Sequence, residues 1–168
     1  MSTSIQEPPA ARADSSIGPL FRLSVNQYAE MIRLDILTED DRVELLEGVL
    51  VAKMGRKLPH VFTTRRIMAV LVRALPPGWL VTKEDPIRTR DSVPEPDCVV
   101  LRGTDEDYRD RWPGPADMAL VVEVAESSLS RDRTHKRRIY ARAAIPVFWL
   151  VNLIDRRIEV YSDPSGPN

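Results

Sequence analysis

The chain has 168 residues, of which 43% are hydrophobic, so it is long enough for one domain with a proper core and too short for two ordinary ones. Its formal net charge of -1 provides no global field that gathers nucleic acid, so such a partner must be met by a local basic patch. The single cysteine, Cys98, excludes an internal disulfide and a zinc cluster, and its apolar neighbours indicate a buried thiol.

Neither a membrane-spanning segment nor a signal peptide is predicted. No stretch approaches the roughly 20 apolar residues of a membrane span, and the N-terminus lacks an apolar core. A cytoplasmic protein without membrane contact is therefore expected. Residues 1–19, rich in serine, proline and alanine, predict a disordered N-terminal tail, and turn-forming residues at 162–168 predict a flexible C-terminal tail. The folded body is a single domain over residues 20–161.

The first half of this domain predicts two helices and a hairpin. Ser24 and Gln27 have the spacing of a capping box and predict a helix to about Leu34. Two strands are expected on either side of a tight turn at Gly48, with Glu44 inside the first. Apolar residues then recur at helical intervals from His60 to Leu75, where prolines end the helix.

The second half predicts strands and one further helix. Short apolar or alternating runs predict strands at residues 79–83, 87–90, 97–101, 147–151 and 157–161. Residues 118–124 are apolar except for Glu123, which suits a central strand covered on both faces. A helix capped by Ser130 is expected to run to about Ala144. The fold class is therefore α/β, with a central mixed β-sheet flanked by helices.

The positions of three acids predict a metal site. Glu123 lies in an apolar strand, and burying an ionised carboxylate costs several kcal/mol unless a cation or donor compensates it. Asp97 and Glu123 on adjacent strands would suffice for one Mg²⁺ or Mn²⁺ ion, and Glu44 would hold a second ion or a metal-bound water. A lysine near such an ion would orient the attacking water and offset charge on the phosphorane, and Lys136 is the candidate.

The same residues resemble those of the Uma-two family of restriction-endonuclease-like proteins, part of the PD-(D/E)XK nuclease superfamily. The matching pieces, in order, are Glu44-Leu-Leu-Glu-Gly48, Pro59-His60, Pro96-Asp97, Val122-Glu123-Val124, Asp132, Lys136, Tyr140 and Phe148-Trp-Leu-Val-Asn152. The resemblance implies a restriction-endonuclease-like fold with Glu44, Asp97 and Glu123 as the acidic site. The superfamily's usual lysine would stand at Ala125; in this family it is taken to have moved onto the following helix, which fits Lys136. Asn152 stands where the family commonly has aspartate.

Three further residues are expected to bind substrate or support the site. His60 would position substrate or Glu44 from a helix start, Asp132 would pair with Lys136, and Tyr140 would donate its hydroxyl. Residues 132, 136 and 140 share one face of the predicted helix.

Each site residue also has an alternative that needs no function. Asp97 could be a turn residue, Glu123 could pair with an arginine, and Glu44 could be a solvent-facing strand residue. Lys136 could belong to a solvated basic face, and His60 could merely start a helix. Asp132 could cap its helix, and Tyr140 could pack in the core.

Three hypotheses for function follow. The first is a Mg²⁺- or Mn²⁺-dependent endonuclease that hydrolyses DNA phosphodiester bonds with metal-activated water, for which a homodimer would suit the cleavage of both strands. The second is a catalytically silent module that binds DNA or a protein through the same cleft. The third is a structural domain in which these charges form internal ion pairs.

Overall fold

Residues 19–164 of this computed structural model are described, and they form helices and strands in the following order. The helices are α1 (Val25–Arg33), α2 (Leu58–Ala74), α3 (Leu129–Arg131) and α4 (Arg137–Arg142), with a π-helical segment, Asp132–Lys136, joining α3 to α4. The strands are β1 (Val43–Leu46), β2 (Val49–Ala52), β3 (Trp79–Thr82), β4 (Cys98–Arg102), β5 (Met118–Ala125), β6 (Val147–Asn152) and β7 (Arg157–Ser162). Most of the two predicted tails, at residues 1–18 and 165–168, lies outside the described residues, and β7 reaches Ser162.

The central sheet has five strands in the order β3-β4-β5-β6-β7. Only β5 and β6 are parallel, because the helical residues 129–142 carry the chain back across the sheet between them. The other neighbours are antiparallel. This confirms the predicted α/β class with a mixed sheet and flanking helices.

Side chains of the central strands alternate between two apolar layers. On one face Val99, Leu101 and Val121 pack with Tyr140 of α4. On the other face Cys98, Val100 and Val122 pack with Leu71 of α2. Cys98 is completely buried, as its neighbours predicted.

The hairpin β1–β2 forms a separate two-stranded sheet held against α1. Its turn has positive φ at both Glu47 (49°) and Gly48 (79°), and a Cβ on Gly48 would lie 2.7 Å from the Cβ of Arg22. Glycine is therefore required there, in agreement with the predicted turn. The predicted capping box of Ser24 and Gln27 is also present at the start of α1.

Two predictions about local structure were wrong. Residues 87–90 are not a strand but a tight loop, in which the Ile87 N–H donates to the Pro94 carbonyl and the Thr89 N–H to the Ser92 carbonyl. Nearby prolines lack the N–H groups that a strand ladder needs, so the segment folds back on itself instead. The last helical region begins at Leu129 and ends at Arg142, so Ser130 lies within it and does not cap it.

No helix within residues 19–164 is long and apolar enough to cross a membrane.

Candidate active site

Strand alternation places Asp97 and Glu123 on the same face of the sheet. Cys98 pairs with Val122 across the antiparallel strands β4 and β5, so one further step in the register sets Asp97 opposite Glu123. The Val124 N–H donates to Asp97 Oδ2 at 2.7 Å, which fixes the aspartate beside the glutamate. Both side chains are buried, and both face the helical residues 129–142.

Lys136 lies between two of the predicted acids. Its Nζ is 2.9 Å from Glu123 Oε1 and 3.1 Å from Glu44 Oε2, and all three residues are less than 5% exposed. The π-helical segment inserts an extra residue per turn, with the Arg137 N–H donating to the Asp132 carbonyl five residues back. Lys136, at the end of this segment, is 3% exposed and points into the protein, and not into a solvated basic face.

Asp132 and Tyr140 flank this lysine, as their helical spacing predicted. The Tyr140 hydroxyl donates to Glu123 Oε1 at 2.6 Å, and Ser128 Oγ donates to Asp132 Oδ2 at 2.5 Å. The other oxygen of Asp132, Oδ1, is buried and has no hydrogen-bond partner among the described residues. Asp132 is thus held by a serine one turn earlier and does not cap its helix.

His60 contacts Asp97 and not Glu44, which corrects one of its predicted roles. It lies in the first turn of α2, which begins two residues earlier than predicted, and its Nε2 is 3.2 Å from Asp97 Oδ1. Glu44 is held instead by Lys136 and by the Glu95 N–H, which donates to Oε2 at 3.2 Å.

Burial of this many acids perturbs their protonation. Desolvation, opposed by Lys136 and reinforced by the nearby acids, raises the pKa of Glu123 to about 8. Desolvation alone would lower the pKa of Lys136, but the carboxylates of Glu123 and Glu44 raise it above its usual value. Burial also raises the pKa of the Tyr140 hydroxyl, which therefore remains a hydrogen-bond donor. The Lys136 ammonium group is thus shared between the buried carboxyl groups of Glu44 and Glu123.

These side chains line a small cavity of about 60 Å³. Six of the seven predicted site residues line it: Glu44, His60, Asp97, Glu123, Asp132 and Lys136. Tyr140 is not among the lining residues and supports Glu123 through its hydrogen bond. The cavity has room for water or an ion and is far too small for a nucleotide, so a polymeric substrate would have to lie across its mouth.

The mouth of the cavity carries cations that the sequence analysis did not single out. The loop between β2 and α2 contributes Lys53, Arg56 and Lys57, and the helical region contributes Arg131. The density of basic residues directly before His60 could have predicted that this loop contributes cations to the site. Arg131 had no such signal, because it stands in a run of arginines, most of which face solvent.

The oxygen atoms around the cavity decide whether it suits a divalent metal ion. Among residues 19–164, no three acidic, histidine or cysteine side chains are arranged to hold an ion together, and the Lys136 ammonium stands between Glu44 and Glu123. The donor chemistry nevertheless fits, because Mg²⁺ and Mn²⁺ take carboxylate oxygens and need only one or two of them besides water. Asp132 Oδ1 adds a buried oxygen with no hydrogen-bond partner in the described part of the chain.

The fold and this acid-lysine cluster define a restriction-endonuclease-like α/β protein. A family model described as "Uma2: Putative restriction endonuclease" matches residues 25–167, and the chain belongs to that family. The predicted family resemblance is confirmed.

One solved structure supports the fold independently. It is described as a "putative nuclease belonging to DUF820" from Anabaena variabilis, with 15% sequence identity and a TM-score of 0.66. The similarity covers 85% of this chain and 80% of that one. No protein of curated function matches this sequence. Membership of the family supports a nuclease function, and the solved structure supports the fold.

Proposed function

We propose that this protein is a divalent-metal-dependent endonuclease that hydrolyses phosphodiester bonds of DNA. The observation that carries the proposal is the meeting of Glu44, Asp97, Glu123 and Lys136 at one buried cavity with a basic mouth. These residues come from β1, the start of β4, β5 and the helical region. Burying three carboxylates together is costly, and a cluster of this kind is typical of a functional site.

Each residue has a role in this proposal. Asp97, Glu123 and Glu44 would hold Mg²⁺ or Mn²⁺, which, when bound, acidifies water and polarises the phosphoryl group. Lys136 offsets negative charge that develops on the phosphorus oxygens during attack. His60 orients Asp97, Tyr140 orients Glu123, and Asp132 adds a negative charge that keeps Lys136 protonated.

The test is cleavage of supercoiled plasmid with Mg²⁺ or Mn²⁺, together with calorimetric titration of the metal. Asp97→Asn removes the negative charge and keeps the shape. Asp155→Asn is the matched control because Asp155 is 46% exposed, lies in the turn before β7 and does not line the cavity. We expect the control to nick plasmid like the wild type, and Asp97→Asn to lose both nicking and metal binding at an unchanged melting temperature. Nicking by Asp97→Asn at the wild-type rate would contradict the proposed site.

One observation favours a second candidate, a module that binds DNA or a protein partner without cleaving it. Glu44 and Glu123 both contact Lys136, and Asp97 lies 3.2 Å from His60 Nε2 and accepts from the Val124 N–H, so these carboxylates already have partners within the protein. DNA binding by the wild type without metal uptake or nicking would support this candidate. A large fall in melting temperature in Asp97→Asn would instead indicate internal ion pairs with a structural role.

Two further expectations stay predictions. Cleavage of both strands of a duplex would suit a homodimer, which light scattering of the purified protein with and without DNA would detect. The cytoplasmic location is the other, and fractionation of the source cells would test it.

A further inference from the structure

Arg131 is held at the mouth of the cavity with one side of its guanidinium group anchored. Its Nη1 donates to the carbonyl of Ala52, the last residue of β2, at 3.2 Å. The side chain is 21% exposed, so it is partly covered by protein while still reaching the opening.

The other side of the guanidinium group makes no hydrogen bond within residues 19–164. Its Nε is 3.6 Å from Asp132 Oδ1 and its Nη2 is 3.7 Å from Glu44 Oε1, both beyond hydrogen-bond length. Nε is buried without a partner. A buried N–H that lacks an acceptor is costly, so this edge is expected to meet one when the protein works.

The edge formed by Nε and Nη2 is the one with which arginine donates hydrogen bonds to two oxygens of one acceptor group. In this same protein Arg133 uses Nε and Nη2 together on Glu159, and Arg138 uses the same two atoms on Glu47. Arg131 lies two residues from Arg133 and lines the cavity, and the same two atoms of its guanidinium group make no hydrogen bond within residues 19–164.

Three of the other four cations around the cavity lie close to acids, whereas Lys57 is 66% exposed and stands 3.5 Å from Glu126. Lys136 contacts Glu44 and Glu123, and on the rim Lys53 and Arg56 pair with Glu95 and Glu84. Arg131 differs from these three because its carboxylate neighbours stand 3.6 and 3.7 Å away, too far to accept hydrogen bonds from it. Asp132 and Glu44 thus keep the guanidinium oriented without occupying its donors.

We propose that Arg131 binds the substrate phosphate, with the two non-bridging oxygens of one phosphodiester accepting hydrogen bonds from Nε and Nη2. This inference rests on the proposed function, since it names the group of the nuclease site that holds DNA. No covalent change occurs at Arg131; it is a substrate-binding residue, while Lys136 keeps its proposed role of offsetting the charge that develops during attack.

The test is the salt dependence of DNA binding, measured by fluorescence anisotropy of a short labelled duplex with Ca²⁺ present. Each phosphate contact contributes about 0.9 to the slope of log affinity against log salt. Arg131→Gln should lower that slope by about 0.9 and weaken binding roughly 10- to 100-fold at low salt. Arg131→Lys keeps the charge without the two-pronged edge, so it should keep the slope and lose affinity.

The matched control is Arg142→Gln, which removes one positive charge from the same helical region at a side chain paired with Glu47 and Asp91. It should leave the slope unchanged. A wild-type slope in Arg131→Gln, or no DNA binding by the wild type, would overturn the proposal. Should Arg131→Gln fail to fold, an Arg131→Lys affinity equal to that of the wild type would overturn it as well.

Plasmid cleavage, measured separately, distinguishes this inference from the proposed function. If Arg131→Gln reduces the salt slope but the wild type does not nick DNA, the phosphate contact is supported and the nuclease is rejected. Nicking by the wild type with an unchanged slope in Arg131→Gln keeps the nuclease and removes Arg131 from it.

Discussion

Replacing Lys136 by methionine removes the one ammonium that touches both Glu44 and Glu123. The lysine is 3% exposed, and its Nζ lies 2.9 Å from Glu123 and 3.1 Å from Glu44, so water cannot readily take its place. Removing one partner from a buried ion pair typically costs about 3 to 5 kcal/mol, because the other charge is left buried and uncompensated. For a chain of this length that corresponds to a fall in melting temperature of about 6 to 20 °C.

The loss should depend on pH in a defined direction. In the wild type the pKa of Glu123 is raised to about 8, above its usual 4.5. Between these pH values the unfolded state has lost the proton that the folded state keeps, so the free energy of unfolding falls as the pH rises. Without the ammonium that folded-state pKa rises further, so the variant continues to lose stability above pH 8, where the wild type has levelled off. The pKa of Lys136 is raised, so its contribution is fully present below its ordinary value of 10.5. The difference between variant and wild type should therefore be greater at pH 9 than at pH 6.

The assay is thermal unfolding by circular dichroism at both pH values. Lys57→Met is the matched control, because the same change at a side chain that is 66% exposed and 3.5 Å from Glu126 should cost less than about 1 kcal/mol. Mg²⁺ or Mn²⁺ should raise the melting temperature of Lys136→Met more than that of the wild type, since a divalent ion then meets the carboxylates without competition. Equal melting temperatures for Lys136→Met and the wild type at pH 9 would refute this reasoning.

Three further predictions concern other parts of the molecule. The Arg133 guanidinium, together with hydrogen bonds from Asn152 and Tyr161, lowers the pKa of Glu159 to about 2. The stability that this carboxylate contributes is therefore fully present above pH 4.5 and lost as the pH falls through 2. Glu159→Gln should differ from the wild type in urea unfolding at about pH 6 and approach it below about pH 2. Gly48→Ala should cost at least about 1 kcal/mol in the same measurement, because φ is +79° and the added Cβ meets the chain before α1; a neutral effect would count against the turn geometry. Leu71→Ala, at 7% exposure on α2, should cost about 2 to 4 kcal/mol, whereas Val72→Ala, at 56% exposure, should stay within about 0.5 kcal/mol; similar costs would contradict the observed helix orientation.

The sequence predicted most of the elements because their signals are local. The apolar run of β5, the capping box at Ser24 and the turn at Gly48 depend on residues at most a few positions apart. The strand predicted at residues 87–90 was wrong, since a run with β propensity cannot pair where the neighbouring prolines remove donors and turn the chain.

Whether neighbouring basic residues face the site or the surface was decided only by the tertiary structure. Arg131 and Arg133 stand two residues apart, yet one reaches the cavity and the other pairs with Glu159 on β7. Residues two apart lie on nearly opposite faces of a helix, but which of those faces packs against the sheet is decided by tertiary contacts.

The sequence by itself determined which chemistry is present: the carboxylates, the lysine, and the strands and helices that carry them. The tertiary structure decided their partners, bringing Lys136 to Glu44 across most of the chain and His60 to Asp97 instead of Glu44. The physical reason is the separation along the chain over which each effect acts. Propensity and periodicity are set by neighbours within about one helical turn, whereas the compensation of a buried charge is set by whichever cation the packed sheet and helices bring within hydrogen-bond distance.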